Sequence, residues 1–80
     1  MAHIAKVKEG GEMKNQKLIA AREKSGKTQA QVAHEAGIST RGYQKYELDG
    51  VIPSVRTAIR IANLLGVLDV RTLWDGTHTA

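Results

Sequence analysis

Apolar residues recur along this chain at helical spacing, and nowhere do they alternate with polar ones as a half-buried strand requires. From Asn15 to Lys24 good helix formers place Leu18, Ala21 and Arg22 on one side, and the segment stops at Ser25-Gly26. Thr28 opens a second helix. Thr28-x-x-Gln31 is a reciprocal capping pattern, Val32, Ala33 and Ala36 supply an inward stripe, and Gly37 ends the helix. A third helix starts at once: Ser39 caps it, Ile38 is placed to pack on Tyr43 as a hydrophobic staple, and Asp49-Gly50 closes it. Pro53 breaks the connection, and Ser54 caps a fourth helix from Val55 to about Leu65. There Val55, Ala58, Ile59, Ala62 and Leu65 repeat at helical spacing with Ile61 beside them, the strongest core pattern in the chain. Gly66 stops it, and a short turn carrying Val70, Leu73 and Trp74 precedes the polar tail. Before Met13 lysines are scattered around Gly10-Gly11 with no sustained period, which predicts a flexible arm. The expected layout is an arm at 1–14, one domain at 15–75 and a tail at 76–80. The expected fold is all-α, a compact bundle of four to five short helices.

Eighty residues lie near the lower limit at which an apolar core holds a fold unaided, and with no cysteine there is no disulfide or thiolate metal site to help. Helix packing must carry the stability, and a multi-step enzyme is not expected. Twelve Lys+Arg against eight Asp+Glu leave a formal charge of +4, which favours a polyanionic partner. No apolar run approaches the roughly 20 residues that span a bilayer, and residues 1–13 lack a secretory-signal pattern, so a cytoplasmic chain, nucleoid-associated when on DNA, is expected.

Two short helices joined by a glycine-containing turn form the corner that presents its second helix to the major groove of DNA. With Tyr43 and Tyr46 turned inward, the outer face of the third helix carries Thr40, Arg41, Gln44 and Lys45. Arg pairs bidentately with guanine, Gln with adenine, Lys with guanine acceptors, and Thr offers a hydroxyl or a methyl. Any exposed helix face is polar, so polarity alone decides nothing; the position of this face in the corner favours base contact. Gly42 costs roughly 1 kcal/mol in a helix interior and calls for a close neighbour, expected at the helix crossing.

These residues resemble a known family. Thr28-Gln29-Ala30-Gln31-Val32-Ala33, Gly37-Ile38-Ser39, Tyr46-Glu47, Pro53-Ser54, Ile61-Ala62 and Leu65-Gly66-Val67 stand as in the Cro/C1-type (Xre, lambda-repressor-like) helix-turn-helix domain, from about Leu18 to Leu73. The resemblance implies a lambda-repressor-like bundle and a DNA-binding regulator of prokaryotic type. It implies base contacts from Thr40, Arg41 and Lys45, with Gln44 more peripheral. It also implies a phosphate contact at Gln29, which braces the recognition helix, and a structural ion pair between Arg22 and Glu47. The chain departs from the family after the third helix, where Leu48-Asp49-Gly50-Val51-Ile52 replaces a basic loop. Val51 and Ile52 then cover the core or join a protein contact, and phosphate binding is left to Lys27, Ser39, Ser54 and Arg56. Tyr43, bulky for its position, either reaches the DNA backbone through its hydroxyl or is a plain core residue.

Lys6, Lys8, Lys14 and Lys17 make the arm either a basic follower of DNA or a solvated terminus. His3, His34 and His78 are too scattered for a metal site, no catalytic constellation appears, and neither cofactor nor enzyme activity is expected. Leu64, Leu68, Val70, Leu73 and Trp74 exceed what a closing turn needs, which suggests a dimer interface, although Trp74 serves equally as the lid of a monomer core. A symmetric dimer would place two recognition helices about 34 Å apart on a roughly palindromic operator. The leading expectation is therefore a homodimeric repressor bound to a double-stranded DNA operator. The competing class is an antitoxin or other protein-interaction module with a protein partner, favoured by Val51-Ile52 and the apolar C-terminus. Modest charge and scarce aromatics argue against non-specific nucleic-acid binding.

Overall fold

The computed structural model describes residues 14–74. The expected arm over 1–14, apart from Lys14, and the tail at 76–80 lie outside the described residues. Within them the chain forms α1 (Gln16–Lys24), α2 (Gln29–Ala36), α3 (Thr40–Leu48), α4 (Val55–Leu64) and a single turn, α5 (Arg71–Trp74), with no strand.

Each of the four longer helices begins where a short polar side chain replaces a missing backbone acceptor. Asn15, Thr28, Ser39 and Ser54 accept from the backbone N–H of Leu18, Gln31, Gly42 and Thr57. At α2 the reciprocal half is also made, since the Gln31 side chain accepts from the Thr28 N–H. Gly37 ends α2 at φ +76°, a left-handed conformation that glycine alone adopts at little cost, so α3 can begin three residues later. Arg60 of α4 reaches this turn and donates to the Ala36 carbonyl at 3.1 Å.

The core draws on every helix: Leu18 from α1, Val32, Ala33 and Ala36 from α2, Tyr43 from α3, Ala58, Ile61 and Ala62 from α4, and Leu73 and Trp74 from α5. Helix α2 lies between α3 and α4, while α1 packs on α3 and α5. Each fully buried aliphatic side chain, such as Ile61, is worth roughly 1.5–3 kcal/mol over the exposed state.

Three expectations need correction. The α4 face turned inward is Ala58, Ile61, Ala62 and the cap Leu65, whereas Val55 is 75% exposed and Ile59 is 45% exposed. Small Ala58 and Ala62 flanking Ile61 let α4 approach α2, and this rotates the larger residues of the repeat outward. The neighbour that wants Gly42 small is not a crossing helix. A Cβ there would stand 3.1 Å from Ser39 Oγ, the cap of its own helix. The expected dimer strip is also divided within the protomer: Leu73 and Trp74 are buried in the core, Leu64 and Val70 are half-buried against it, and Leu68 alone is fully exposed.

Candidate nucleic-acid interface

Helix α3 has an inner face that the rest of the molecule holds and an outer face left to solvent. The inner face centres on Glu47, a carboxylate only 1% exposed. Burying a charge is costly unless its lone pairs are filled. Here all four are. Glu47 Oε2 accepts from Arg22 Nε at 2.6 Å and from the Tyr43 hydroxyl at 2.6 Å. Its Oε1 accepts from Arg22 Nη2 at 3.2 Å and from Gln29 Nε2 at 2.9 Å.

Burial pushes the Glu47 carboxyl upward, but hydrogen bonds from Arg22, Tyr43 and Gln29 outweigh it and hold the group below the ordinary carboxylate range. Hydrogen bonding to Glu47 raises Arg22 above its already high value against the effect of its own burial. Burial first, and then the bond to Glu47, push the Tyr43 hydroxyl far up, so it stays a donor.

Arg22 and Glu47 therefore form the pair that the family resemblance implied. Its partners tie α1, α2 and α3 together, and Arg22 Nη1 also donates to the Lys27 carbonyl at the mouth of the α1–α2 turn. Asn15 extends the fastening to the chain's far end. Its backbone N–H donates to the Glu47 carbonyl at 2.8 Å and its Nδ2 to the Leu73 carbonyl at 2.7 Å. No pattern in the sequence announces for Asn15 partners 32 and 58 residues away.

Tyr43 is corrected as a phosphate contact: the ring is fully buried, packs edge-on against Tyr46 at 6.2 Å between centroids, and gives its hydroxyl to Glu47. Thr40, Arg41 and Lys45 are exposed on the outer face, and among the described residues their side chains have no hydrogen-bond or ion-pair partner. Gln44 is half-buried beside them and donates from Nε2 to Gln29 Oε1 at 3.1 Å. Arg41, Gln44 and Lys45, with Leu48 and Asp49, line an open concavity.

The other expected phosphate residues fall at helix starts. Ser39 and Ser54 have their oxygens engaged as caps, each with a hydroxyl proton to donate; that of Ser54 points to Thr57 Oγ1 at 3.2 Å. The Gln29 side chain is spent on Glu47 and Gln44, which leaves its backbone N–H, among the leading amides that a helix N-terminus does not pair internally. Lys27, itself half-buried, forms an ion pair with the exposed Glu35 at 3.2 Å, and Arg56 is exposed. In the α3–α4 loop Val51 and Ile52 do not cover the core; both are nearly half exposed. No group of His, Cys, Asp or Glu among the described residues is arranged to hold a metal, and no described helix is long and apolar enough to cross a membrane.

A profile of the helix-turn-helix family matches residues 18–71, from α1 to the start of α5. Over 66 residues, 82% of this chain, the sequence is 35% identical to YonR of Bacillus subtilis (strain 168), named a prophage-derived HTH-type transcriptional regulator. Over 52 residues, 65% of this chain, it is 38% identical to RstR of Vibrio cholerae serotype O1, named a cryptic-phage transcriptional repressor. The chain spans 60% and 46% of the lengths of these two relatives. No solved structure matches at comparable significance.

Proposed function

The chain belongs to the helix-turn-helix family, of the Cro/C1 type, and on that premise we propose that it regulates transcription by binding double-stranded DNA sequence-specifically through α3. The observation that carries this reading is the division of α3. Its inner face is fastened to α1 and α2 through Glu47, and its outer face presents Thr40, Arg41 and Lys45 without partners. A helix held rigidly by one side and armed on the other suits insertion into the major groove, where Arg and Lys meet guanine and Thr meets a base edge or a thymine methyl. Lys27, Arg56, the Ser39 and Ser54 hydroxyls and the leading amides of α2 are then the groups for phosphates.

One relative is named a repressor, which supports blocking of transcription as the mode of action. Homodimerisation on a two-fold operator completes the proposal, with Leu68 and the half-buried Leu64 and Val70 as the surface on offer at the C-terminal end.

Selection of bound duplexes from a random DNA library at near-physiological salt tests the proposal. Enrichment of an inverted repeat with half-sites about one helical turn apart is the expected result. A second reading, a protein-interaction module such as an antitoxin, is favoured by the exposure of Leu48, Val51, Ile52, Val55 and Ile59 around the α3–α4 loop. Failure to enrich any motif would overturn the first reading in its favour.

A further inference from the structure

Lys27 is one of the groups suited to a phosphate, yet in the free protein its ammonium is already engaged. Two bonds hold its backbone: its N–H donates to the Arg22 carbonyl at 3.4 Å, and its own carbonyl accepts from Arg22 Nη1 at 3.0 Å. Arg22 is in turn fastened to Glu47, so Lys27 stands at a fixed place at the mouth of α2. From there the side chain runs along the helix, and its Nζ meets Glu35 Oε1 at 3.2 Å. Glu35 lies in the last turn of α2, roughly 9 Å along the axis from Gln29 at a rise of about 1.5 Å per residue. The leading amides that suit an anion are at the other end of the helix. A cation is favoured near the carbonyl end of a helix and disfavoured near its amide end, so the dipole and Glu35 hold the ammonium in the same place. Both members of the pair reach solvent, and a surface pair of this kind is weak enough to exchange.

Resting on the reading that Lys27 binds a DNA phosphate, we propose that Glu35 is an affinity-setting residue: its carboxylate occupies the Lys27 ammonium in the free protein, and DNA binding exchanges that carboxylate for a phosphate. The two anions offer the ammonium the same kind of charged acceptor. Part of the attraction between Lys27 and DNA is therefore offset by the pair that is given up. Phosphates carry no sequence, so Glu35 lowers affinity for every duplex by the same factor and leaves base preference untouched. Glu35 acts on DNA binding without touching DNA.

The test is a double-mutant cycle on the full chain, read as the Kd for its selected duplex and for a scrambled one at near-physiological salt. The screening length there is about 8 Å, so the general repulsion between one carboxylate and the duplex is largely damped. Glu35→Gln should bind both duplexes about 1.5- to 5-fold more tightly, the range that release of a surface pair allows. Lys27→Ala should weaken binding to both. In the Lys27→Ala background Glu35→Gln should bring no gain, since no ammonium remains to be released. Glu35 is exposed and glutamine keeps its shape, so the variant should fold, with its melting curve as the check. An equal gain with and without Lys27 overturns the proposal, because Glu35 then acts through its charge alone. Weaker binding by Glu35→Gln overturns it as well, because the pair then aims Lys27 at the backbone instead of occupying it. A Lys27→Ala protein with wild-type affinity and salt slope removes the premise that Lys27 meets a phosphate. A wild-type protein that binds neither duplex removes the DNA-binding reading itself.

Discussion

The two faces of α3 treat polar groups in opposite ways. On the inner face Glu47 is buried with every lone pair filled, and its donors come from three helices. On the outer face Thr40, Arg41 and Lys45 are exposed, and their side chains bind nothing in the described part of the chain. A buried ion pair adds little net stability because desolvation offsets its attraction. What such a pair does supply is direction, since bonds to a planar carboxylate leave few orientations open. The comparison therefore teaches that the inner face sets where the helix points and the outer face sets what it meets. Gln44 belongs to both, through Gln29.

Removing the hub of the inner face should have the largest effect. Glu47→Ala strips the acceptor from Arg22, Tyr43 and Gln29 at once, and breaking a buried pair costs about 3–5 kcal/mol. That is a large share of the roughly 5–15 kcal/mol that holds a domain together. Urea unfolding followed by far-UV circular dichroism measures it, and an unchanged midpoint would break the inner-face half of the comparison.

Acid should undo the same network more gently. The folded-state pKa of Glu47 lies below its ordinary value, so its contribution is complete above the unfolded-state value of about 4.5 and is lost as pH falls through the lower folded value. The wild-type midpoint should therefore drop over the acid interval below about pH 5. Glu47→Gln, which has no carboxylate to protonate, should start lower and drop less over that interval; parallel curves would show that another group carries the acid sensitivity.

On the outer face the sign of the comparison reverses. Arg41→Ala should leave melting unchanged and cost about 1–3 kcal/mol of binding at a single operator base pair, read by competition among substituted duplexes. An equal loss on all sequences would move Arg41 to the phosphate contacts. The smallest effect is expected at Lys27. Its ion pair with Glu35 lies at the surface and is partly exposed, so Lys27→Ala should alter stability by less than about 1 kcal/mol. The slope of log K against log salt should meanwhile become shallower by about one. A slope equal to the wild type's would remove Lys27 from the DNA backbone.

Sequence by itself determined the helices and their ends. The caps Thr28, Ser39 and Ser54 and the turn glycine Gly37 act within a few residues, so Thr28 with Gln31, or Ser39 with Gly42, can be read directly from the chain. The outward placement of Thr40, Arg41 and Lys45 followed for the same reason, because a cap and an inward tyrosine fix the rotation of a short helix.

Tertiary structure alone decided the rest. Val55 and Ile59 belong to the apolar repeat and Ile61 lies beside it, yet the approach of α4 to α2 buries Ile61 and leaves the other two exposed. Tyr43 and Glu47 stand four residues apart on one face of α3, and only the arrival of Arg22 from α1 and Gln29 from α2 at the carboxylate decided that this face is buried. Trp74 and Leu73 became core where α5 packs on α1, with Asn15 bonded to the Leu73 carbonyl across 58 residues of sequence. Local hydrogen bonds and helical period are written in neighbouring residues. Which of two equally apolar faces is buried, and which way an amide turns, depends on partners that meet only when the helices pack.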